Sequence, residues 1–228
     1  YVSARNEENV GLGPGWTHSL GWRVCETSLV HSGSGGSVTE SCVQLRMGDG
    51  TAMWFQQCGT QPLWRNLRDS GWQIAATDED GYELDLPRGA WYRFRSDGRA
   101  DACVDAWGNR VSYSYTNTPS ALRPLRVEHG NGQFLQLSYE EDRLVRVSTP
   151  VDTFRVDYGY DAGGALTSVT RRTSSGSTTT RYLLDAAGGS CITQRLNAVG
   201  RGTVYSYDDA PTPRCRSLQM DGQVYAHD

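Results

Sequence analysis

The chain has 228 residues, of which 37% are hydrophobic and 21% charged, with a formal net charge of −4. Those values fit one large globular domain or two small ones. They offer no concentrated basic surface for nucleic acid, and no apolar run approaches the roughly 20 residues of a membrane-spanning helix.

Taken from the start, "GLGPGWTHSL" (Gly11–Leu20) is the first patterned stretch. Gly21–Leu29 and Val38–Leu45 then read as strands on either side of "HSGSGGS" (His31–Ser37), a loop by its Gly and Ser content. Setting Leu29 opposite Val38 brings Cys25 opposite Cys42, and predicts a disulfide between them. The same register sets Trp22 and Val24 against Leu45 and Val43 on the other face. A Cys42–Cys58 bridge is the alternative. Centring the next hairpin on Asp49-Gly50 puts Cys42 opposite Gln57 and turns Cys58 to the opposite face. Cys58, Cys103, Cys191 and Cys215 have no assigned partner. Six scattered cysteines without a Cys-x-x-Cys pair suit disulfides in an oxidising compartment. The competing reading is six buried free thiols.

"TDEDGYELD" (Thr77–Asp85) gathers acids around a glycine. A Ca²⁺ site and a solvated turn are both open there, and the spacing is not that of an EF-hand. All seven tryptophans lie at or before Trp107, and tyrosine dominates afterwards. That shift predicts a boundary near residue 90. Residues 1–90 read as an irregular, Trp-rich β region or cap, and 91–228 as regular β-hairpin repeats.

The second part repeats itself. Taking Tyr92, Tyr113, Leu137, Tyr158, Tyr182 and Tyr205 as equivalent gives steps of 21, 24, 21, 24 and 23 residues. A period held that long means one supersecondary unit copied along the chain. Each copy reads as a strand into a turn and a strand out, as in "FRVDYGYDAGGALTSVT". Asp and Gly supply the turn, since Asp bonds nearby backbone and Gly accepts positive φ. Second turns are expected at "DAWGN", "HGNG", "SSGS" and "VGRG". The predicted fold class is all-β, a run of consecutive antiparallel hairpins forming a long curved sheet. Alternation sends Tyr158 and Tyr160 to one face, where packing in an aromatic ladder outweighs an exposed sugar-stacking strip.

These repeats resemble the YD repeats of the Rhs family, which also occur in wall-associated proteins, Tc-toxin cocoons and animal teneurins. The stretch "YGYDAGGALTSVT" is similar to the family's Tyr-x-Tyr-Asp-x-x-Gly-x-Leu at Tyr158, Tyr160, Asp161, Gly164 and Leu166. "YRFRSDGRADACVDAWGNRVSYSYT" resembles the variant with a second "GNR" turn, and "GLGPGWTHSL" resembles the opening of many Rhs cores. "YLLDAAGGS" departs by lacking the second Tyr, and "YEEDRL" by lacking the Gly. The resemblance implies an open segment of a β-spiral shell, which in larger relatives encloses a C-terminal toxin.

Signs of chemistry are sparse. There is no His-Glu-x-x-His, no Gly-x-Ser-x-Gly and no phosphate-binding glycine loop. The histidines are His18, His31, His129 and His227, and His18 reads as a structural hydrogen-bonding residue. No catalytic residue, cofactor or metal is expected. The expected function is a non-enzymatic structural shell or scaffold segment, extracellular or at the cell surface. Its partners would be other segments of the same Rhs-type chain or further copies of itself. An adhesin or carbohydrate-binding module is the alternative, as is a filament subunit built through free strand edges.

Overall fold

The computed structural model describes residues 10–13, 15–33, 36–66, 68, 71–78, 81–115, 123–151, 154–185, 191–208, 215–220 and 223–226. It is all-β. Among the described residues the helical content is a single 3-10 turn at Pro87–Gly89. Strands follow one another as antiparallel hairpins, as the alternating sequence and its turn residues require. Among the described residues no helix is long and apolar enough to cross a membrane.

The chain forms two compact bodies. One is His18–Phe134; the other joins Tyr1–Thr17 to Leu135–Asp228. The expected change of character near residue 90 is one of composition. It sits inside a hairpin whose strands pair from Tyr82↔Phe94 to Asp85↔Trp91. The change from Trp to Tyr is a change of side chain within one continuous ladder, and the backbone pairing ignores it.

The tryptophan-rich body, His18–Phe134, contains β1 (Arg23–Gly33), β2 (Gly36–Arg46), β3 (Ala52–Gln57), β4 (Leu63–Arg65) and β5 (Gln73–Ala76). It continues through β6 (Tyr82–Asp85), β7 (Trp91–Phe94), β8 (Ala100–Val104), β9 (Arg110–Tyr115) and β10 (Pro124–His129). Each pairs with the next. The sheet curls until β1 meets the β7–β8 turn. There the Val24 N–H donates to the Gly98 carbonyl at 2.8 Å, and Arg23 bridges to Arg99. Trp22 stacks on Tyr92 at 4.4 Å, and the Tyr82 hydroxyl donates to Glu26 at 2.6 Å. The curl buries Val43, Leu45, Phe55, Ile74, Leu84 and Phe94 almost completely.

The tyrosine-rich body carries β11 (Phe134–Glu140), β12 (Arg143–Ser148), β13 (Phe154–Tyr160), β14 (Leu166–Thr173) and β15 (Gly176–Leu184). After them come β16 (Ile192–Leu196), β17 (Gly202–Tyr207), β18 (Cys215–Met220) and β19 (Gln223–Ala226). Neighbours in sequence are again neighbours in the ladder. Burial is shallower. Leu137, Leu144 and Leu166 are fully covered, whereas every residue of β13 is only half-buried.

Six connections share one geometry. The N–H of residue i donates to the carbonyl of i+4, and the N–H of i+3 to the carbonyl of i, with i at Met47, Arg95, Asp105, His129, Asp161 and Asn197. Position i+3 is always glycine, at φ between 77 and 87°. This is the three-residue hairpin loop with a left-handed closing residue. An Asp or Asn oxygen also accepts the i+4 N–H in every case. It comes from position i at Asp105, Asp161 and Asn197, and from i+2 at Asp49, Asp97 and Asn131. The "YEEDRL" stretch turns without glycine. Its two-residue loop holds both Glu141 (φ 46°) and Asp142 (φ 67°) left-handed.

Two registers differ from the sequence reading. In β1–β2 the ladder runs on to Gly33↔Gly36, so Cys25 faces Gln44 and Cys42 faces Thr27. The expected Cys25–Cys42 bridge is therefore corrected, and all six cysteines are free thiols. The cause is strand length, since the ladder takes in most of the Gly/Ser stretch, through His31↔Val38, Ser32↔Ser37 and Gly33↔Gly36. A slip of two keeps every side chain on its face, so Val24 still meets a buried partner, now Leu45. In β2–β3 the extra loop residue sets Cys42 opposite Gln56 in place of Gln57.

Candidate functional site

The six equivalent positions of the repeat fall on alternate strands. Tyr92 lies on β7, Tyr113 on β9, Leu137 on β11, Tyr158 on β13, Tyr182 on β15 and Tyr205 on β17. Two residues on, each strand carries a second large side chain: Phe94, Tyr115, Tyr139, Tyr160, Leu184 and Tyr207. A bulge accompanies this second residue every time. Phe94 pairs with Ala100, Tyr115 with Pro124, Tyr139 with Leu144, Tyr160 with Leu166, Leu184 with Ile192 and Tyr207 with Cys215, each next to a register shift. At β14 and β16 the extra residue is a threonine. Thr167 and Thr193 donate their hydroxyls to the carbonyls of Gly159 and Leu183. The bulge bends the strand and re-aims the side chain beside it.

That re-aiming lets the second tyrosine reach back one hairpin. The Tyr115 hydroxyl donates to the Ala100 carbonyl at 2.7 Å, Tyr160 to Leu144 at 2.7 Å and Tyr207 to Ile192 at 2.9 Å. Each acceptor is the residue that faces the second side chain of the preceding repeat. A phenol offers apolar area and one polar tip, so it fills the interface and satisfies a carbonyl together. Burial is the first cause that raises these phenols. It holds Tyr207 up at about 12, and Tyr115 and Tyr160 are raised as well. Tyr115 is further flanked by the guanidiniums of Arg99 and Arg95, 4.6 and 5.3 Å from its ring centre.

The motif residues named from sequence come together in one hairpin. Tyr158 is half-buried and faces Val169, Tyr160 makes the bond to Leu144, Asp161 and Gly164 form the turn, and Leu166 is buried against Tyr160. The Gly11–Trp16 motif lies across the same hairpin. The Gly11 carbonyl accepts the Leu144 N–H at 2.6 Å and lies 3.2 Å from the Tyr160 hydroxyl. A Cβ on Gly13 would come within 3.0 Å of the Gly164 carbonyl, and Trp16 meets Tyr182 edge-on at 4.9 Å. The glycines thus allow backbone to lie on backbone. The hydroxyl reach and this docking were not read from sequence. Their acceptors are main-chain carbonyls, which every residue has.

Elsewhere the chemistry is modest. Burial raises the Cys103 thiol against the lowering effect of Tyr113 and Tyr92 beside it, and burial pushes Tyr92 up to about 12. The His18 ring nitrogen Nδ1 accepts the Leu20 N–H at 3.2 Å, and His129 Nδ1 accepts the Asn131 N–H at 3.2 Å. His31 lies on β1, its side chain outside the described residues, as are Glu79, Asp80 and His227. No group of three metal-ligating side chains gathers among the described residues. Two aromatics stand out in solvent: Trp107, 86% exposed at a turn tip, and Trp54, 44% exposed beside a concavity of about 630 Å³. No family model matches this sequence, and no curated protein matches it.

Proposed function

We propose that this chain is a non-enzymatic shell or scaffold segment of an Rhs/YD-repeat protein, exported to the cell surface or beyond. The observation that supports the reading is the hydroxyl bond repeated at Tyr115, Tyr160 and Tyr207, which spends the motif tyrosines on joining hairpins. Half-buried Tyr158 and Tyr182 support it too, since ladder residues occupied in packing are not a ligand strip. In larger members of the family such a sheet surrounds a toxin, and the same enclosing role is proposed for the parent protein here. An adhesin reading has its own support in exposed Trp54 and Trp107.

Fractionation of the producing cells tests this. An antibody to the chain should find its antigen in the secreted or surface fraction, in a protease-resistant form. Recovery in the cytosol alone, or rapid proteolysis of the folded chain, would overturn it. A further check is a non-reducing intact mass, where six free thiols in exported protein would show that the fold is held without disulfides.

A further inference from the structure

Within the tyrosine-rich body, strands β15–β18 form a concavity of about 350 Å³, lined by Thr180, Arg195, Asn197, Arg201, Thr203 and Met220. Register sets these residues on one face in two rows. In the first, Tyr182 pairs with Arg195, Arg195 with Thr203 and Thr203 with Met220. In the second, the Asn197 N–H donates to the Arg201 carbonyl at 2.8 Å, and Thr180 comes level with Asn197, one place beyond the Arg181↔Leu196 pair. Residues two apart on a strand share a face, so Arg195 and Asn197 stand beside Thr203 and Arg201.

The main chain beneath both arginines is fixed. Asn197 Oδ1 accepts the N–H of Val199 at 3.1 Å and of Arg201 at 2.9 Å. A Cβ on Gly202 would overlap the Arg195 carbonyl, so glycine lets β17 begin close against β16. Arg195 and Arg201 are exposed, and among the described residues neither pairs with an acid and no carboxylate lines the concavity. Arg126 and Arg216, by contrast, pair with Glu128 and Asp208. At the head of the first row burial raises the Tyr182 phenol, and the charge of Arg195 draws it back down. Thr203 lines the concavity and is only 8% exposed, yet its hydroxyl bonds to no described residue. A buried hydroxyl without a partner is a cost that a bound oxygen would remove.

We propose that this concavity binds a small organic phosphate monoester, with the phosphate between Arg195 and Arg201 and the organic group toward Met220. The charges match, since two guanidiniums face a group that carries about −1.5 to −2 at neutral pH. Guanidinium presents paired N–H donors to phosphate oxygens, and the Thr203 hydroxyl donates beside them. Met220 is 48% exposed and supplies an apolar wall at the far end of the row. It lies two strands from Arg195, roughly 10 Å at the usual strand spacing, which is the length of a small ester. Concavities from about 300 Å³ upward hold ligands of that size. The site goes beyond the shell reading and stands independently of it.

The test is calorimetric titration of the intact chain with phenyl phosphate, inorganic phosphate, benzoate and phenol. Phenyl phosphate should bind at one site per chain, inorganic phosphate and singly charged benzoate more weakly, and phenol not at all. Arg195→Ser and Arg201→Ser should each weaken phenyl phosphate about tenfold, and Thr203→Val about fivefold. Thr203→Val removes a hydroxyl without a partner, so its melting temperature should hold or rise while binding falls, the opposite of general damage. Arg181 lies on the other face of β15, and Arg181→Ser should leave binding unchanged. No binding of phenyl phosphate at millimolar concentration would overturn the proposal. So would benzoate or inorganic phosphate binding as tightly as phenyl phosphate, or a loss in Arg181→Ser equal to that in Arg195→Ser.

Discussion

The two bodies solve one problem differently. Both are made of consecutive hairpins, and a sheet of hairpins has an apolar face that must be covered. The tryptophan-rich body covers its own by curling, so that β1 lies against the β7–β8 turn and Phe55, Ile74, Leu84 and Phe94 lose nearly all contact with solvent. The tyrosine-rich body leaves β13 half-buried and relies on Gly11–Trp16 and on tyrosine hydroxyls. Curling needs close approach at one place. Repetition needs the same modest bond many times.

The comparison breaks most sharply at Gly98. A Cβ there would stand 1.9 Å from the Val24 carbonyl, at a φ of +80°. Gly98→Ala should cost about 3 kcal/mol or more, through strain and displacement of β1. Gly108 has the same turn position and a φ of +85° but nothing within 4 Å, so Gly108→Ala should cost only about 1 kcal/mol. Urea melts of the two variants measure the difference. Equal losses would mean that β1 does not close over the turn.

The tyrosines come next. Tyr115→Phe, Tyr160→Phe and Tyr207→Phe should each lose about 1 kcal/mol, the worth of one hydrogen bond to a buried carbonyl. Alkali probes the same groups without mutation. Burial favours the neutral phenol in the folded chain, so the stability it gives is complete below pH 10 and fades as pH rises through the folded values. Tyr92 and Tyr207 set that window between the ordinary 10 and about 12. The melting temperature should fall there as tyrosinate absorbance grows. A flat profile across the window would show that these phenols are open to water.

The smallest effect belongs to the loop without glycine. Glu141→Asn with Asp142→Gly relieves two left-handed residues and should stabilise the chain by roughly 0.5–1 kcal/mol. A lower midpoint in the same melt would argue that Glu141 and Asp142 hold the turn by some other contact.

Sequence revealed the repeats because their signal is periodic. The six aligned positions from Tyr92 to Tyr205 occupy every second strand. Asp161 and Gly164 were readable because turn geometry restricts residue type. Cys25 and Cys42 misled for a related reason. Face is written in a pattern of period two, and a slip of two leaves that pattern intact while separating the pair. The bulges were hidden as well, since the skipped positions Asp101, Leu125, Val145, Thr167, Thr193 and Arg216 have no chemistry in common.

The reach of the second tyrosine is always short, 15 or 16 residues back along the chain. At these three joins the hydroxyl keys a hairpin to the one directly before it. A gene that duplicates or drops one such keyed pair leaves the other joins intact. Length in such an array is free to drift over generations while the join stays fixed, so the coding sequence can lengthen like a chain of links without redesigning any of them.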